Sequence, residues 1–260
     1  MQVTIIGSGN VATVMGKILV EKGYKVNKVY SRKHEHASEL AAELRGEAIT
    51  DLSLIGNDAD IYLLAVTDDA LAEVASKISV KDKLVIHTAG SVSKEVLKNS
   101  STNYGVLWPM KMIRRSMQTL IPVTMVVDGN TEAVTRELHQ LASAFSPVIT
   151  TADDPLRLKM HMLAAITSNF SNHLYQLAAE YCEAEQIDFS FFYPSIEETA
   201  QRIRSTHPKL LQAGPAFRGD RQTIEKHLAL LAPYPQVKKL YEALTESIRA
   251  SFPGNEKANL

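Results

Sequence analysis

The segment Gly7–Ala12 reads Gly-Ser-Gly-Asn-Val-Ala and directly follows the short apolar run Gln2–Ile6. A glycine-rich turn between a strand and a helix is typical of a dinucleotide-binding site. Gly7 allows the sharp turn, and Gly9 lets the backbone approach a pyrophosphate. The positive end of a helix beginning near Asn10 then faces the phosphates. The alternative interpretation is a purely structural glycine turn.

The end of the second predicted strand bears on which dinucleotide would bind. Ser31, Arg32 and Lys33 stand where an NAD site usually places an Asp or Glu for the ribose 2′-hydroxyl. A hydroxyl and two cations suit a 2′-phosphate better, because a guanidinium can pair with phosphate and stack on adenine. We therefore predict NADP as the cofactor. Solvated loop charges are the alternative interpretation of Arg32 and Lys33.

Length and composition limit the classes of protein that fit. The 260 residues suit two modest domains. A net charge of −1, from 28 basic and 29 acidic side chains, favours neither a nucleic acid nor an anionic membrane as partner. Cys182 is the single cysteine, which excludes an internal disulfide and a thiolate metal cluster, and no metal-ligand spacing is evident. Without a leader pattern or a long apolar run, we expect a cytoplasmic protein.

Apolar β-rich runs alternate with helical patterns over residues 1–151, which predicts a Rossmann-type, mostly parallel sheet domain that binds NADP. The predicted strands are 2–6, 25–30, 47–50, 60–66, 83–87, 104–108, 122–127 and 147–150. Helices are predicted near 10–22, 35–45, 69–78 and 131–144. The fold class is therefore α/β in this half of the chain.

Residues 152–260 contain no convincing strand and predict an all-α C-terminal domain for substrate binding and dimerisation. Its first helix begins near Asp154 and runs for about 30 residues, roughly 45 Å. Such a helix is too long for one small domain to cover, so we expect a homodimer formed through the helical domain. Further helices are predicted at 189–206, 220–231 and 236–250.

Residues of both halves carry a resemblance to a known group of reductases. They are the glycine turn, Ser31-Arg32, the turn His87–Ser91, His161, Asn169–His173, the segment Gln212–Asp220 and His227-Leu228. With them the chain resembles the 6-phosphogluconate dehydrogenase-like reductases, which include pyrroline-5-carboxylate reductase. More narrowly, it resembles the Rossmann-like NADP oxidoreductases whose C-terminal half is a domain of unknown function.

Ligands of such sheets bind outside the carboxyl ends of the strands, so the turns that follow the strands are candidate cofactor contacts. The resemblance implies that Thr67 lies over the ribose and pyrophosphate, although relatives usually carry proline there, and that His87 and Thr88 border the nicotinamide. A His87 ring satisfied by loop carbonyls is the alternative. The predicted cofactor residues are Gly7, Ser8, Gly9, Asn10, Val11, Ser31, Arg32, Val66, Thr67, His87 and Thr88.

Polar residues recur along the long helix at helical spacing. His161, Ser168, Asn169 and Asn172 form one polar stripe between apolar residues. Such groups need partners or a wet pocket, and the resemblance implies that this face meets the nicotinamide. We predict His161 as the proton donor, since histidine titrates near neutral pH, and Asn169 as the group that orients the substrate. A hydrogen-bonded seam between helices or subunits is the alternative.

Ser168, Asn172 and Arg218 are the predicted substrate contacts, with Arg218 suited to clamp a carboxylate or phosphate. An ordinary surface arginine is the alternative for Arg218. The Lys–Asn pair of the hydroxyacid dehydrogenases is absent, because Leu163 stands four residues after Lys159.

These patterns together favour an NADP-dependent oxidoreductase. It would transfer a hydride to or from a small polar metabolite, an oxo acid or imine, in the interdomain cleft. Two alternatives remain open: a non-catalytic NADP-binding sensor or assembly module, and a deazaflavin-dependent reductase.

Overall fold

A computed structural model describes residues 1–253, and residues 254–260 of the predicted helical domain lie outside the described residues. The chain divides into two compact units, Met1–Phe170 and a second that begins at Ser171. This division falls later than the predicted domain boundary at residue 151, because the helix beginning at Asp154 packs on the sheet. The functional boundary at 151 stays a prediction.

One eight-stranded sheet forms the frame of the first unit. Its strands are β1 (Gln2–Ile6), β2 (Lys25–Tyr30), β3 (Glu47–Ile49), β4 (Ile61–Leu64), β5 (Leu84–His87), β6 (Asn103–Pro109), β7 (Met125–Gly129) and β8 (Ile149–Thr151). They lie in the order β3-β2-β1-β4-β5-β6-β7-β8. Only β6 and β7 pair antiparallel, and every other neighbouring pair is parallel. The predicted α/β fold with a mostly parallel sheet is confirmed.

The sheet separates two apolar layers. In β4, Ile61 and Leu63 belong to one buried cluster, whereas Tyr62 and Leu64 belong to the other. Successive side chains of a strand point to opposite faces, so a strand covered on both faces must be apolar throughout. This explains why the Asp60–Val66 run carries almost no polar residue.

Four helices accompany the strands of the first unit, with ends at most two residues from those predicted. They are α1 (Asn10–Glu21), α2 (His34–Leu44), α3 (Asp68–Ser76) and α4 (Glu132–Ala142). Short 3-10 turns at Leu52–Leu54 and Lys94–Leu97 had no counterpart in the predicted elements.

The long helix begins at Asp154, as predicted, but it is not a regular α-helix. α5 (Asp154–Ala164) leads into a π-helical segment, Ala165–Phe170, and α6 (Ser171–Ala184) follows without a break. A π turn adds a residue to the turn and shifts the faces that follow it. The predicted stripe from His161 to Asn172 assumed regular α-helical spacing, and that assumption is wrong.

Within residues 171–253 the second unit forms helices and no strand. The helices after α6 are α7 (Tyr193–Arg202), the single turn α8 (Pro215–Arg218), α9 (Arg221–Leu230) and α10 (Pro235–Ser251), with 3-10 turns at Phe189–Phe192 and Pro208–Leu211. Among residues 171–253, only Leu177, Cys182 and Ile224 are buried. Of the helices within residues 1–253, none combines the length and the apolar character that a bilayer span requires.

Candidate cofactor cleft and active site

The glycine turn joins β1 to α1 at the carboxyl end of the sheet. Gly7 has φ +122°, a conformation that side chains disfavour, and its N–H donates to the Tyr30 carbonyl at 2.9 Å. A Cβ at this position would lie 2.3 Å from the Ala65 carbonyl oxygen. The turn therefore needs glycine at this position, because a side chain would clash with the backbone of Ala65, directly after β4.

Gly9 serves a different purpose from Gly7. It is the N-cap of α1, and no side chain caps this helix. In contrast, α4, α5 and α9 are capped by Thr131, Asp153 and Asp220. A Cβ at Gly9 would meet no atom within 4 Å, so space is open beside the helix N-terminus. Uncapped N–H groups beside open space fit an anionic pyrophosphate.

A cleft of about 920 Å³ opens from this turn toward the end of β2. All the predicted cofactor residues except His87 line the cleft: Gly7, Ser8, Gly9, Asn10, Val11, Ser31, Arg32, Val66, Thr67 and Thr88. The Ser8 hydroxyl donates to the Ser31 hydroxyl at 2.9 Å, which ties the glycine turn to the loop that carries Arg32. The donor set has the cations and amides that a phosphorylated dinucleotide needs, and binding by these residues stays a prediction.

Thr67 departs from the proline usual at its position without changing the backbone. It is the N-cap of α3 with φ −65° and ψ 151°. The proline ring imposes the same φ. The local geometry is therefore the one that proline would give.

The loop after β6 contributes one cleft residue that was not among the predicted cofactor residues. Ile113 lines the cleft, and its carbonyl accepts a hydrogen bond of 3.1 Å from the Asn10 side-chain amide. Arg115, two residues further on, pairs with Glu39 and Glu43 on α2 at 2.8 and 3.1 Å. This loop is thus linked to α1 through Ile113 and to α2 through Arg115.

Helix α3 brings two charged side chains into the cleft that sequence analysis missed. Glu73 and Lys77 both line it, and their charged atoms lie 2.6 Å apart. An acid for the ribose was expected after β2, where Ser31–Lys33 contain none. Glu73 is distant in sequence from Arg32, so only the folded chain could reveal that an acid shares the cleft.

His87 lies beneath the cleft rather than on its wall. Its side chain is fully buried, and its Nδ1 accepts a hydrogen bond of 3.2 Å from the Ala89 N–H. Burial, followed by the nearby Arg157 guanidinium, lowers the pKa of His87 from 6.5 to about 4. The ring is therefore neutral at physiological pH. Its neighbour Thr88 lines the cleft, and a cofactor role for His87 stays a prediction.

His161 meets the loop that follows β5. Its ring centroid lies 5.6 Å from that of Trp108, and a Cβ at Gly90 would lie 2.6 Å from the His161 Cδ2 atom. Gly90 is two residues beyond Thr88, which lines the cleft. The half-buried imidazole of His161 therefore packs on the turn that leads from the cleft wall.

A buried charge network fixes the start of α5 on the sheet. Arg157, 1% exposed, pairs with Asp128 at 3.3 Å and Asp154 at 2.5 Å, and it donates to the Val92 carbonyl at 2.6 Å. Lys94 also pairs with Asp128, at 2.8 Å. Removing one partner of a buried pair leaves an uncompensated charge, at a cost of about 3–5 kcal/mol. Arg157 thus positions the helix that carries His161, and no sequence pattern had distinguished it.

The other predicted residues of the helical half lie in the π-helical segment or in the second unit. Ser168 and Asn169 lie in the π-helical segment, Asn169 is exposed, and neither lines the cleft. Asn172 and Arg218 are exposed residues of the second unit. Their roles remain predictions. Within residues 1–253, His, Cys, Asp and Glu side chains form no group of three that could hold a metal ion.

Family models match both halves of the chain. Residues 2–90 match the family described as NADP oxidoreductase coenzyme F420-dependent, and residues 123–248 match a domain of unknown function, DUF2520. The Glutamyl-tRNA reductase of Methanococcus maripaludis is 34% identical over 90 residues. That match covers 34% of this chain and 24% of the curated relative, so the chain spans only about a quarter of its length.

Solved structures match over nearly the whole chain. A Bacteroides fragilis protein named "putative NADP oxidoreductase" is 34% identical, with a TM-score of 0.88 over 96% of this chain and 98% of that one. A reductive aminase from Aspergillus terreus, in complex with NADPH and ethyl-5-oxohexanoate, is 14% identical. Its TM-score is 0.72 over 97% of this chain and 95% of that one, a likeness of fold alone. The resemblance inferred from the sequence is confirmed: the chain belongs to the family of NADP oxidoreductases that join an F420-dependent-type NADP oxidoreductase domain to a C-terminal domain of unknown function.

Proposed function

We propose that this protein is an NADP-dependent oxidoreductase that reduces or oxidises a small polar metabolite of the oxo acid or imine class. The observation that carries the proposal is the cleft of about 920 Å³ between the uncapped N-terminus of α1 and Arg32. An uncapped helix N-terminus suits a pyrophosphate, and a guanidinium suits a 2′-phosphate. Membership in an NADP oxidoreductase family supports the same cofactor.

The residues of this chain divide the work between binding and proton transfer. The amides of Gly9 and Asn10 would hold the pyrophosphate, and Ser31 and Arg32 the 2′-phosphate. When bound, the reduced cofactor supplies a hydride. For a substrate C=O or C=N bond, His161 would deliver the proton to the heteroatom while the carbon accepts the hydride, and solvent would restore the proton on the imidazole.

The remaining predicted residues complete the proposal. Asn169 would orient the substrate, with Ser168, Asn172 and Arg218 as its further contacts. The exposed π-helical segment supports this role indirectly, because π turns occur frequently at functional sites.

Homodimerisation belongs to the same proposal. Large apolar side chains are exposed along the long helix and beyond it, including Met162, Ile166, Phe170 and Leu174. Exposed apolar surface of this extent usually marks an interface. A second copy of the chain is the partner that would cover these exposed side chains.

A deazaflavin-dependent reductase is the second candidate. The family description of residues 2–90 names coenzyme F420, which favours it. Titration of the protein with oxidised F420 and with NADP, followed by absorbance and calorimetry, separates the two candidates. Binding of NADP alone supports the first candidate, and binding of F420 supports the second.

The direct test of activity is NADPH oxidation with a panel of small oxo acids and imines. His161→Asn is expected to retain NADPH affinity and folding but to lose about 10²–10⁴-fold in turnover. His139→Asn is the matched control, because His139 is also half-buried in the first unit but lies on α4, whereas His161 packs on the turn after β5. Unchanged turnover in His161→Asn would contradict the proton-donor role, and no oxidation across the panel would favour the sensor alternative.

A further inference from the structure

Glu73 lies on α3 and Lys77 is the residue that follows the helix at its C-terminus, and both side chains line the cofactor cleft. The Lys77 ammonium donates to a Glu73 carboxylate oxygen at 2.6 Å. Their side chains are 70% and 54% exposed, for Glu73 and Lys77 respectively, so the pair stands in solvent at the cleft wall. Both charges therefore face the space that a dinucleotide would enter.

Glu73 is the single carboxylate among the described residues that line this cleft, where the cations are Arg32, Lys33 and Lys77. The pKa of the Glu73 carboxyl is lowered chiefly by its hydrogen bond to Lys77, and Arg32 contributes to the same shift. Arg32 and Glu73 are thus close enough to interact across the cleft. Arg32, the cation expected at the 2′-phosphate, therefore interacts electrostatically with the Glu73 carboxylate.

An acid beside the ribose has opposite effects on the two nicotinamide cofactors. A carboxylate can accept a hydrogen bond from a free 2′-hydroxyl, which favours NADH, but it repels a 2′-phosphate, which disfavours NADPH. A lysine that neutralises the carboxylate removes this repulsion. The Lys77–Glu73 pair can therefore tune cofactor choice without either residue being the main phosphate ligand.

We propose that the Glu73–Lys77 pair on α3 determines how strongly this protein prefers NADPH over NADH, with Lys77 masking the carboxylate of Glu73. This inference rests on the proposed function as an NADP-binding oxidoreductase. Without Lys77, Glu73 opposes Arg32 and Lys33. Without Glu73, the field of these cations on the 2′-phosphate is stronger.

The expected size of the change in cofactor preference follows from the solvent exposure of the Glu73 and Lys77 side chains. Charges in solvent interact weakly, so removing one changes the affinity ratio by about threefold rather than a hundredfold. The effect is also sensitive to ionic strength, because the Debye length falls from about 8 Å at 0.15 M salt to about 3 Å at 1 M.

The chain contains a matched pair for control. Glu132 and Arg136 on α4 are also spaced four residues apart, with charged atoms 3.8 Å apart and both side chains exposed. Neither lines the cleft. Glu132→Gln and Arg136→Gln therefore change the net charge as Glu73→Gln and Lys77→Gln do, without touching the cleft.

The experiment measures dissociation constants of NADPH and NADH by calorimetry for the full-length chain at 0.05 and 1 M salt. Glu73→Gln should raise the NADPH preference about threefold, and Lys77→Gln should lower it by about the same factor. The double variant Glu73→Gln/Lys77→Gln should return to within about twofold of the wild type, and all differences should shrink at 1 M salt. The α4 controls should leave the preference unchanged.

Several results would overturn the inference. Equal shifts in the cleft variants and the α4 controls would show a general charge effect. A double variant that remains as weak for NADPH as Lys77→Gln would show that Lys77 binds the phosphate instead of masking Glu73. If the wild type prefers NADPH but none of the variants changes that preference, the inference alone fails. If the wild type binds neither NADPH nor NADH, the proposed function fails with it.

Discussion

The two units of this chain differ in how they bury their apolar side chains. In Met1–Phe170, apolar layers on both faces of the sheet are closed to solvent, with residues such as Leu63 and Leu64 fully covered. In residues 171–253, helices α7 and α10 have no buried residue, and Phe191 and Leu210 are 73% and 77% exposed. The first unit contains its own core, whereas the second lacks one of comparable size.

The difference has a physical cause. A parallel sheet covers its own strands with helices on both faces, so burial is complete within one chain. Among residues 171–253 the helices bury only Leu177, Cys182 and Ile224, so most of their apolar side chains stay partly or fully exposed. We therefore expect the second unit to obtain much of its burial from a second copy.

The largest effect concerns molecular mass. Light scattering at micromolar concentration should give about twice the 28.7 kDa of one chain. Phe170→Asp places a charge on an exposed apolar position of the long helix and should shift the mass toward the monomer. Leu54→Asp, at a similarly exposed position outside the helical half, should not. A wild-type monomer, or equal effects of both variants, would contradict dimerisation through the helical half.

Truncating a leucine should lower the free energy of unfolding far more in the first unit than in the second. Leu63→Ala removes a fully buried side chain of β4 and should cost about 2–5 kcal/mol. Leu230→Ala, at an exposed position of α9, should cost less than about 0.5 kcal/mol at protein concentrations where the chain is monomeric. Urea unfolding can be followed by the fluorescence of Trp108, the single tryptophan, which lies in the first unit. Comparable losses of unfolding free energy at the two positions would contradict this difference between the units.

Acid should weaken the first unit through His87. Its folded-state pKa of about 4 lies below its ordinary value of 6.5, so the unfolded chain binds more protons between these limits. The contribution of a neutral His87 is present above pH 6.5 and is lost as the pH falls toward 4. The loss from pH 7 to pH 4.5 should be about 2–3 kcal/mol greater in the wild type than in His87→Gln. Parallel pH profiles of the two proteins, measured by urea unfolding, would count against this assignment.

The smallest effect concerns cofactor affinity and again contrasts the two units. The wild type should bind NADPH at least about tenfold more tightly than NADH, equivalent to about 1.4 kcal/mol, and Arg32→Ala should remove most of that preference. Arg218→Ala removes an exposed arginine of the second unit and should leave NADPH affinity unchanged while raising the KM of an acidic substrate. Calorimetry with both cofactors decides the first point. Loss of NADPH affinity in Arg218→Ala would instead assign that arginine to the cofactor.

Local patterns in the sequence determined the strands, most helices and the glycine turn. Period-two and period-3.6 spacing arise from the backbone geometry of each element, and the φ of +122° at Gly7 admits little besides glycine. Ser31 and Arg32 could likewise be assigned to the cleft, because the sequence pattern showed where the preceding strand ends. The π-helical segment Ala165–Phe170 was not predicted, because residues of low helix propensity do not specify an extra residue in a turn.

Tertiary structure alone decided which charges meet. The sequence offered Arg157, Asp128 and Lys94 as separate polar residues, yet the fold buries them in one network that anchors α5. In the fold His87 is buried and does not line the cleft, whereas Glu73 lines it together with Arg32. Backbone conformation depends on neighbouring residues and leaves a pattern in the chain, whereas charge pairing depends on distances between remote segments, which are fixed only when the sheet and helices pack.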